Sequence, residues 1–271
     1  MMASDDLGGD RASQSGPKVT LITVSYNSEH TIRDTIESVV EQDYPAIEYL
    51  IVDGASTDGT MDIVDRYRHQ VAGIISEPDA GLYDAMNKGI ARATGDVVAM
   101  INSDDVYARP TVISELVSEM ERTSADIVFA DLLMVDRDDL QSVRRYYDSS
   151  RFRPGRLRFG WMPAHPTMLV KRTLYERVGP FDLAYEIAAD FEMVVRLFSV
   201  PGVTYAYRRS PVIRMRQGGV STRGLKSSWT LNREIVRACR ANGIWTALPL
   251  LGFKVPLKLL EFIQRPSEMV A

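Results

Sequence analysis

Hydrophobic residues in the first 130 positions alternate between two kinds of spacing. Short, nearly continuous apolar runs lie at residues 19–25, 47–52, 74–76, 97–101 and 127–130. Between these runs, apolar residues recur every three or four positions, as at Ile32, Ile36 and Val39, which is typical of helices with one buried face. Strands that alternate with helices predict a mostly parallel, Rossmann-like sheet flanked by helices. Ligands of such sheets bind beyond the carboxyl ends of the strands.

The regular alternation weakens after residue 140. The stretch 144–158 is rich in arginine and aromatic residues, and the spacing predicts a short strand at 167–170 and a helix at 190–198. The pair Gly218-Gly219 predicts a turn before a polar helix over 222–242. We interpret this half as an elaboration of the same α/β body.

The overall composition is that of an ordinary globular protein. The chain has 271 residues, of which 45% are hydrophobic and 25% charged, and these values exclude collagen-like, disordered and disulfide-scaffold proteins. The single cysteine, Cys239, cannot form an internal disulfide, and residues 1–16 are polar and acidic without the apolar core of a secretory signal. We therefore expect a flexible tail over 1–16 and a cytoplasmic location.

Charge is divided unevenly between the two halves. Residues 1–140 contain 10 basic and 27 acidic residues, a net of −17, whereas residues 141–271 contain 22 basic and 9 acidic residues, a net of +13. An acidic half tolerates a cation-dependent phosphate site, and a basic half suits a diphosphate, a nucleic acid or a membrane surface. This division predicts a subdivision of the chain near residue 140.

Residues 244–263 are strongly apolar but are interrupted by Pro249, Lys254, Pro256 and Lys258. The uncharged runs are therefore shorter than the ~18 residues that a membrane-spanning helix needs. Such a segment either lies on a membrane surface or packs against the body as a C-terminal helix. The basic character of the preceding residues slightly favours the membrane surface.

Polar residues follow each of the first four predicted strands. They are Tyr26 and Asn27, then Asp53, then Glu77 and Asp79, then Asn102 to Asp105. The adjacent carboxylates of Asp104 and Asp105 repel each other unless a hard cation or hydrogen bonds offset the repulsion. An isolated pair of this kind is also explained by a turn that caps the next helix.

Three segments, in this order and spacing, resemble family 2 nucleotide-sugar glycosyltransferases. They are VTLITVSYN at 19–27, YLIVDGASTDGT at 49–60 and EPDAGLYDAMNKGIARATGDVVAMINSDD at 77–105. The chain is most similar to the bacterial group that builds capsules, exopolysaccharides and glycolipids, in which YDAMNKGI-type and GGVS-type strings recur. The resemblance implies a GT-A fold and an inverting transfer of a sugar from a nucleoside diphosphate sugar to an acceptor hydroxyl.

The resemblance also implies which residues bind the donor. In such enzymes the position of Asp53 hydrogen-bonds the base, the segment from Thr23 to Asn27 forms a wall of the nucleotide pocket, and Asp104 contacts the ribose or the sugar. The donor-binding candidates are Thr23, Tyr26, Asn27, Asp53, Asp58, Asn87, Lys88 and Asp104. Lys88 is equally well explained as an exposed helix residue, and Asp58 as a cap of the following helix.

By the same resemblance Asp105 would bind a divalent cation. Mg²⁺ or Mn²⁺ suits such hard oxygen ligands. The motif here is Ser103-Asp104-Asp105 and not a strict D-x-D, so it leaves open which carboxylate touches the ion. His165, in Met162-Pro-Ala-His165-Pro-Thr, matches a histidine string of the family and would ligate the cation or orient the acceptor; a hydrogen-bonded structural histidine is the alternative.

An inverting transferase needs a general base that removes the proton of the acceptor hydroxyl. Asp190 stands where the family has an E-D-type acid at the start of a helix, although Ala189 replaces the preceding glutamate. A simple capping role is the alternative.

Arg214 and Arg216 precede the predicted Gly-Gly turn, which would fold over the diphosphate. These two arginines are candidates for binding the acceptor or the diphosphate. The Q-x-x-R-W signature of the family is absent, which favours one transfer per encounter.

These assignments predict four regions and a set of partners. Residues 1–16 form the tail, 17–140 bind the donor, 141–243 bind the acceptor and supply the base, and 244–271 form an amphipathic or packing segment. The basic second half favours a lipid-linked saccharide or a glycolipid as acceptor, with peripheral contact at the cytoplasmic face of a membrane. It lacks the motifs of nucleic-acid-binding modules, so we expect no nucleic-acid partner.

Two other functions are compatible with parts of the sequence. A non-catalytic nucleotide-sugar-binding protein would have the same fold and the same donor residues. A phosphatase of the haloacid dehalogenase type would place its nucleophile at Asp53, but Ala55 stands where its second acid is required. The glycine motifs of dinucleotide-binding and P-loop proteins are absent.

Overall fold

The structure is a computed structural model, and it describes residues 16–218 and 224–252, with side chains in the second range described from residue 227. Four parts of the sequence predictions lie outside the described residues. They are the tail apart from Gly16, the second glycine of the Gly-Gly turn, the first two residues of the helix predicted over 222–242, and residues 253–271 of the C-terminal segment.

The first four strands form a parallel array. They are β1 (Val19–Ser25), β2 (Ile47–Asp53), β3 (Gly73–Ser76) and β4 (Val97–Asn102), in the order β3-β2-β1-β4. The connections contain α1 (Ile32–Val40), α2 (Thr60–Arg66) and α3 (Leu82–Arg92). The predicted alternation of strands and helices is confirmed, and the strand ends differ from the prediction by one residue at most.

The sheet continues into the second half of the chain. Its further strands are β5 (Asp105–Tyr107), β6 (Ile127–Val135), β7 (Val143–Tyr147), β8 (Leu169–Lys171) and β9 (Tyr205–Arg216). Strand β8 pairs antiparallel with both β4 and β6, and β9 runs parallel to β6 and antiparallel to β5. Strand β7 pairs with β6. Strands from both sides of residue 140 therefore belong to one sheet.

Helices cover both faces of this sheet. Those that follow β5 along the chain are α4 (Val112–Thr123), α5 (Arg172–Val178), α6 (Ala189–Ser199), α7 (Gly224–Ala241) and α8 (Leu248–Leu251). Alternate residues of each strand enter separate apolar clusters. Ile22 and Val24 face the cluster that contains α3, α6 and α7, whereas Leu21 faces the cluster of α1 and α4. The result is a three-layer α/β/α arrangement.

Helix α3 packs unusually close to the sheet at Gly89. A Cβ atom built there would lie 2.5 Å from Cγ2 of Ile22 on β1, a separation that forces the packing to shift. Glycine at this position therefore lets α3 lie directly against β1, with its N-terminus beside the carboxyl ends of the strands.

The structure differs from the sequence prediction in the irregular segments. The strand predicted at 167–170 is shifted to Leu169–Lys171, because His165–Thr167 form a 3₁₀ turn in which the Thr167 hydroxyl donates to the Ala164 carbonyl at 2.7 Å. Strand β9 was not predicted, since its polar and arginine residues hide the apolar pattern. Within the described residues, no helix is both long and apolar enough to cross a bilayer.

Candidate active site

The polar ends of the parallel strands meet along one edge of the sheet. Ser25, Asp53 and Ser76 are the last residues of β1, β2 and β3 and lie side by side in register. Asn102 ends β4 and lies opposite Val24 of β1. The edge predicted from the sequence is therefore a continuous row of polar residues.

The carboxylate of Asp53 is buried beneath this edge and bound by hydroxyl groups. Ser25 Oγ donates to it at 3.0 Å, Ser76 Oγ at 2.9 Å, and Ser56 donates through both its backbone N–H at 2.9 Å and its Oγ. These four hydrogen bonds offset the cost of burying the carboxylate. Asp53 is thus held in one orientation at the end of β2.

Two of the donor candidates tie the loops after β1 and β2 together. Asn27 has a left-handed backbone conformation with φ of 47°, its Oδ1 accepts the Thr57 N–H at 2.9 Å, and its own N–H donates to Ser56 Oγ at 2.8 Å. Asp58 accepts the N–H groups of Thr60 at 3.0 Å and Glu29 at 3.1 Å. Asn27 and Asp58 therefore shape the rim of the edge.

The other candidates from the first 90 residues fall in different environments. The Tyr26 ring is 63% exposed at the rim, whereas Thr23 is fully buried and pairs with the Tyr49 hydroxyl at 3.0 Å. Lys88 donates to the Pro78 carbonyl at 2.8 Å and lies 3.0 Å from the Glu77 carboxylate. Lys88 thus closes the loop between β3 and α3.

Asp104 and Asp105 lie together at the end of β4. Asp105 is 1% exposed, and its Oδ1 has no hydrogen-bond partner among the described residues. Burial, together with the neighbouring Asp104 charge, raises the pKa of Asp105 well above its usual value. Burial also raises the pKa of Asp104, although Arg216 and Arg137 oppose this effect. An unsatisfied buried oxygen beside a second carboxylate fits a hard divalent cation.

Arg214 and Arg216, near the end of β9, hold the backbone on this side of the sheet. Arg216 is buried, pairs with Asp34, and donates to the carbonyls of Asp104 at 2.8 Å and Arg137 at 3.1 Å. Arg214 donates to the Leu140 carbonyl at 2.9 Å. Arg216 therefore fixes the loop that bears the two carboxylates.

His165 is buried in the 3₁₀ turn before β8. Its ring meets the Phe181 ring edge-on at 5.9 Å between centroids, and burial lowers its pKa to about 4. Histidine, cysteine, aspartate and glutamate do not gather in threes as a metal site anywhere in the described part of the chain.

Asp190 lies partly buried in the first turn of α6. Burial raises its pKa to about 6, and the Glu234 charge contributes in the same direction, while the Phe191 N–H donates to Oδ1 at 2.7 Å and opposes the rise. A carboxyl group with this pKa is ionised near neutral pH and still basic enough to accept a proton, which is what a general base requires.

Helix α3 connects the polar edge where the parallel strands end, called here the strand-end edge, to the loop that leads into α6 and Asp190. Tyr83 donates to the Ile187 carbonyl at 2.6 Å. Asn87 both donates to the Phe181 carbonyl at 3.0 Å and accepts the Phe181 N–H at 2.7 Å. The structure therefore uses the Asn87 side chain to hold the segment that leads to Asp190.

A comparison with protein-family models decides the family. The model described as glycosyl transferase family 2 matches residues 20–179, more than half of the chain. The chain is a family 2 glycosyltransferase. The matched region contains the strand-end edge and both carboxylates, and Asp190 lies beyond it.

Relatives of this glycosyltransferase are named for the synthesis of surface glycans. The PGL/p-HBAD biosynthesis glycosyltransferase of Mycobacterium tuberculosis is 28% identical over 216 residues, 76% of this chain and 79% of the relative. The putative teichuronic acid biosynthesis glycosyltransferase TuaG of Bacillus subtilis is 39% identical over 112 residues, 40% of this chain and 44% of the relative.

Solved structures confirm the predicted GT-A fold of this glycosyltransferase. S. aureus TarS 1-349 in complex with UDP has a TM-score of 0.60 at 18% identity, covering 82% of this chain and 65% of that chain. The mannosyltransferase PcManGT from Pyrobaculum calidifontis, in complex with GDP-Man and Mn²⁺, has a TM-score of 0.58 at 20% identity, covering 93% and 82%. At these identities the likeness concerns the fold.

The sequence alone does not single out several residues that the structure places in the candidate site. Ser25 and Ser76 end strands beside Asp53, so their position in the predicted strands was a usable signal. Tyr83 and Glu234 act across long sequence distances and leave no local pattern.

We expect Asp190→Asn to stabilise the fold by about 1 to 3 kcal/mol at about pH 8. The folded-state pKa of Asp190 is raised from 3.8 to about 6, so ionisation disfavours the folded state. Below both values the carboxyl is protonated in both states and the gain disappears. The gain grows as the pH rises from about 4 to about 6 and is constant above that.

Urea unfolding of both proteins at about pH 4.5 and about pH 8 measures this difference. The exposed loop residue Asp182 provides a matched control, Asp182→Asn. An equal gain in the control, or a gain at Asp190 that does not depend on pH, would contradict the expectation.

Proposed function

We propose that this protein is an inverting glycosyltransferase that moves a sugar from a nucleoside diphosphate sugar to an acceptor hydroxyl. The observation on which the proposal depends is the placement of Asp190. It is a carboxyl group with a pKa of about 6 in the first turn of α6. Tyr83 and Asn87 of α3 bind the segment that leads into this helix and join it to the edge where the parallel strands end. A glycosyltransferase needs a general base that is held in a fixed position relative to the site of the sugar donor.

The proposed chemistry is a single displacement. As Asp190 accepts the proton of the acceptor hydroxyl, the hydroxyl oxygen bonds to the anomeric carbon from the face opposite the diphosphate. The bond between that carbon and the phosphate oxygen breaks, and the nucleoside diphosphate leaves with the bonding electrons. The configuration at the anomeric carbon is inverted.

The donor would bind along the strand-end edge. Asp53 would hydrogen-bond the base by exchanging part of its serine contacts, with the exposed Tyr26 ring beside it. The complexes of TarS with UDP and UDP-GlcNAc support a nucleotide-sugar donor.

Asp104 and Asp105 would hold a divalent cation, Mg²⁺ or Mn²⁺. The Oδ1 of Asp105, which has no hydrogen-bond partner among the described residues, supports this role, as does the Mn²⁺ in the PcManGT complex. When bound, such a cation neutralises the charge that develops on the departing diphosphate. Arg216 would keep the two carboxylates in place through the Asp104 carbonyl.

The acceptor we propose is a lipid-linked saccharide or a glycolipid of the cell envelope. The mycobacterial relatives are named for PGL/p-HBAD biosynthesis and TuaG for teichuronic acid biosynthesis, which supports this class of acceptor. We further propose that the protein sits peripherally on the cytoplasmic face of the membrane.

One face of α7 supports the membrane contact. Trp229, Arg233, Arg237 and Arg240 are exposed and fall within about 80° of arc at 3.6 residues per turn. We call them the basic face of α7. Its three arginines form no ion pair with a carboxylate among the described residues. Trp245, which follows α7 along the chain, is 67% exposed and lies under the Arg158 guanidinium at 5.4 Å. Tryptophan and arginine suit the interface of an anionic bilayer.

We expect a cation-dependent thermal shift with one nucleoside diphosphate. The diphosphates UDP, GDP and dTDP and the monophosphate CMP are each tested with and without Mn²⁺. The shift is measurable because a ligand at 100 times its dissociation constant stabilises a protein by about 2.7 kcal/mol. Asp105→Asn should lose the Mn²⁺-dependent part of the shift. If folded protein responds to none of the four, the donor site is wrong.

Replacing Asp190 by asparagine should lower turnover by about 10²- to 10⁴-fold, the usual contribution of a general base. The donor-induced thermal shift should remain, because the donor contacts lie on the other side of the site. Transfer of labelled sugar to lipid extract measures turnover. Full turnover by this variant would exclude Asp190 as the base, and wild-type protein that binds donor but transfers nothing would indicate a non-catalytic binder.

The full chain should sediment with phosphatidylglycerol-containing vesicles and not with phosphatidylcholine alone. Reversing two charges of the basic face, Arg233→Glu with Arg240→Glu, should weaken vesicle binding about 30-fold, at about 1 kcal/mol per basic residue. Arg122→Glu, on the exposed side of α4, is the matched control. Binding that is unchanged by the double substitution, or that is seen only with nucleic acid, would refute the membrane contact.

A further inference from the structure

Glu234 of α7 lies behind the loop that leads into α6. Its Oε1 accepts the Glu186 N–H at 2.7 Å, and its Oε2 accepts the N–H groups of Ile187 at 2.9 Å and Ala188 at 2.8 Å. Three consecutive backbone donors therefore converge on one carboxylate. The last of them, Ala188, is two positions before Asp190.

The start of α6 lacks a local means of fixing this backbone. The N-cap residue is Ala188, and no side chain caps the helix from that position. Free N–H groups at a helix start need an acceptor when they are buried. Glu234 supplies the acceptor for the residues just ahead of the helix from a separate helix.

Further contacts hold the same loop from two sides. Tyr83 of α3 donates to the Ile187 carbonyl at 2.6 Å. Arg237, one turn after Glu234, donates to the Ala184 carbonyl at 3.2 Å and stacks over the Tyr185 ring at 4.5 Å. The loop is thus clamped between α3 and α7.

We propose that Glu234 is a positioning residue for catalysis: by binding residues 186–188 it fixes the first turn of α6, and with it the direction in which the Asp190 carboxylate meets the acceptor hydroxyl. The inference rests on the proposed role of Asp190 as general base. It assigns to α7 a part in the reaction in addition to any part in membrane contact.

Glu234 also affects the charge of Asp190. The groups that face Asp190 are the Glu234 carboxylate from α7, the Tyr83 hydroxyl from α3 and the Phe191 N–H from α6 itself. Glu192, also on α6, is paired with Arg196. Burial is the main cause of the raised pKa of Asp190, and the Glu234 charge adds to it. Neutralising Glu234 should therefore lower the pKa of Asp190.

The test is Glu234→Gln, which keeps the size of the side chain but removes its charge and one of its two acceptor oxygens. We expect kcat to fall about 10- to 100-fold, the usual effect of a small misplacement of a catalytic group, while the KM for the donor stays unchanged. The acid limb of the pH profile of kcat/KM should move to lower pH. Glu176→Gln on α5, a partly exposed glutamate, is the matched control and should match wild type in both respects.

Three results would overturn the inference. Glu234→Gln could retain wild-type kcat and pH profile. Alternatively, Glu234→Gln could lose both donor binding and kcat while the acid limb of the pH profile stays in place, which is the result expected for a residue with a purely structural role. If the variant fails to fold, hydrogen exchange of the wild type decides: amides 186–188 should exchange slowly although they precede the helix, and exchange as fast as an exposed loop contradicts the clamp.

Asp190→Asn separates this inference from the function on which it rests. Loss of turnover in Asp190→Asn with wild-type behaviour of Glu234→Gln would refute the role of Glu234 alone. Full turnover in Asp190→Asn would refute the base itself.

Discussion

The edge at which the parallel strands end depends on the register of β1 between its two parallel neighbours. Ser25 lies opposite Asp53, and Val24 lies opposite Asn102. A slip of one residue would turn every side chain of a strand to the other face of the sheet. It would remove Asp53 from its serine partners and displace the loop of Asp104 and Asp105. The apolar residues on both faces of β1 prevent such a slip, because each fits one of two separate clusters.

Helix α3 transmits this order to the other side of the site. Gly89 allows it to lie against Ile22 of β1, so its position follows that of the sheet. From there Asn87 binds the Phe181 backbone and Tyr83 binds Ile187. The segment that leads to Asp190 is therefore located relative to the strand ends by direct hydrogen bonds, although the family match ends before it.

The sequence predicted the parallel half of the fold almost residue by residue, because its strands are apolar runs whose ends are marked by polar residues. It did not predict β9, because four arginines interrupt its apolar pattern and the strand is placed by pairing with β6 and β5. The contacts of Arg216 with Asp34 and the Asp104 carbonyl, and those of Glu234 with residues 186–188, join distant parts of the chain. No spacing rule reveals such pairs. The roles given to His165 and Lys88 stay predictions, and both side chains lie in environments that also suit a purely structural role.

The uneven division of charge has a consequence for orientation. Residues 1–140 carry a net charge of −17 and residues 141–271 a net charge of +13. If the protein meets an anionic surface, as proposed above, the surface would attract the second part of the chain and repel the first before any contact forms. On the proposed membrane contact, the basic half would face the lipid and the acidic half the solution. A water-soluble donor would then arrive from the open side, and a lipid-borne acceptor from the opposite one, so that the two substrates need not compete for one entrance.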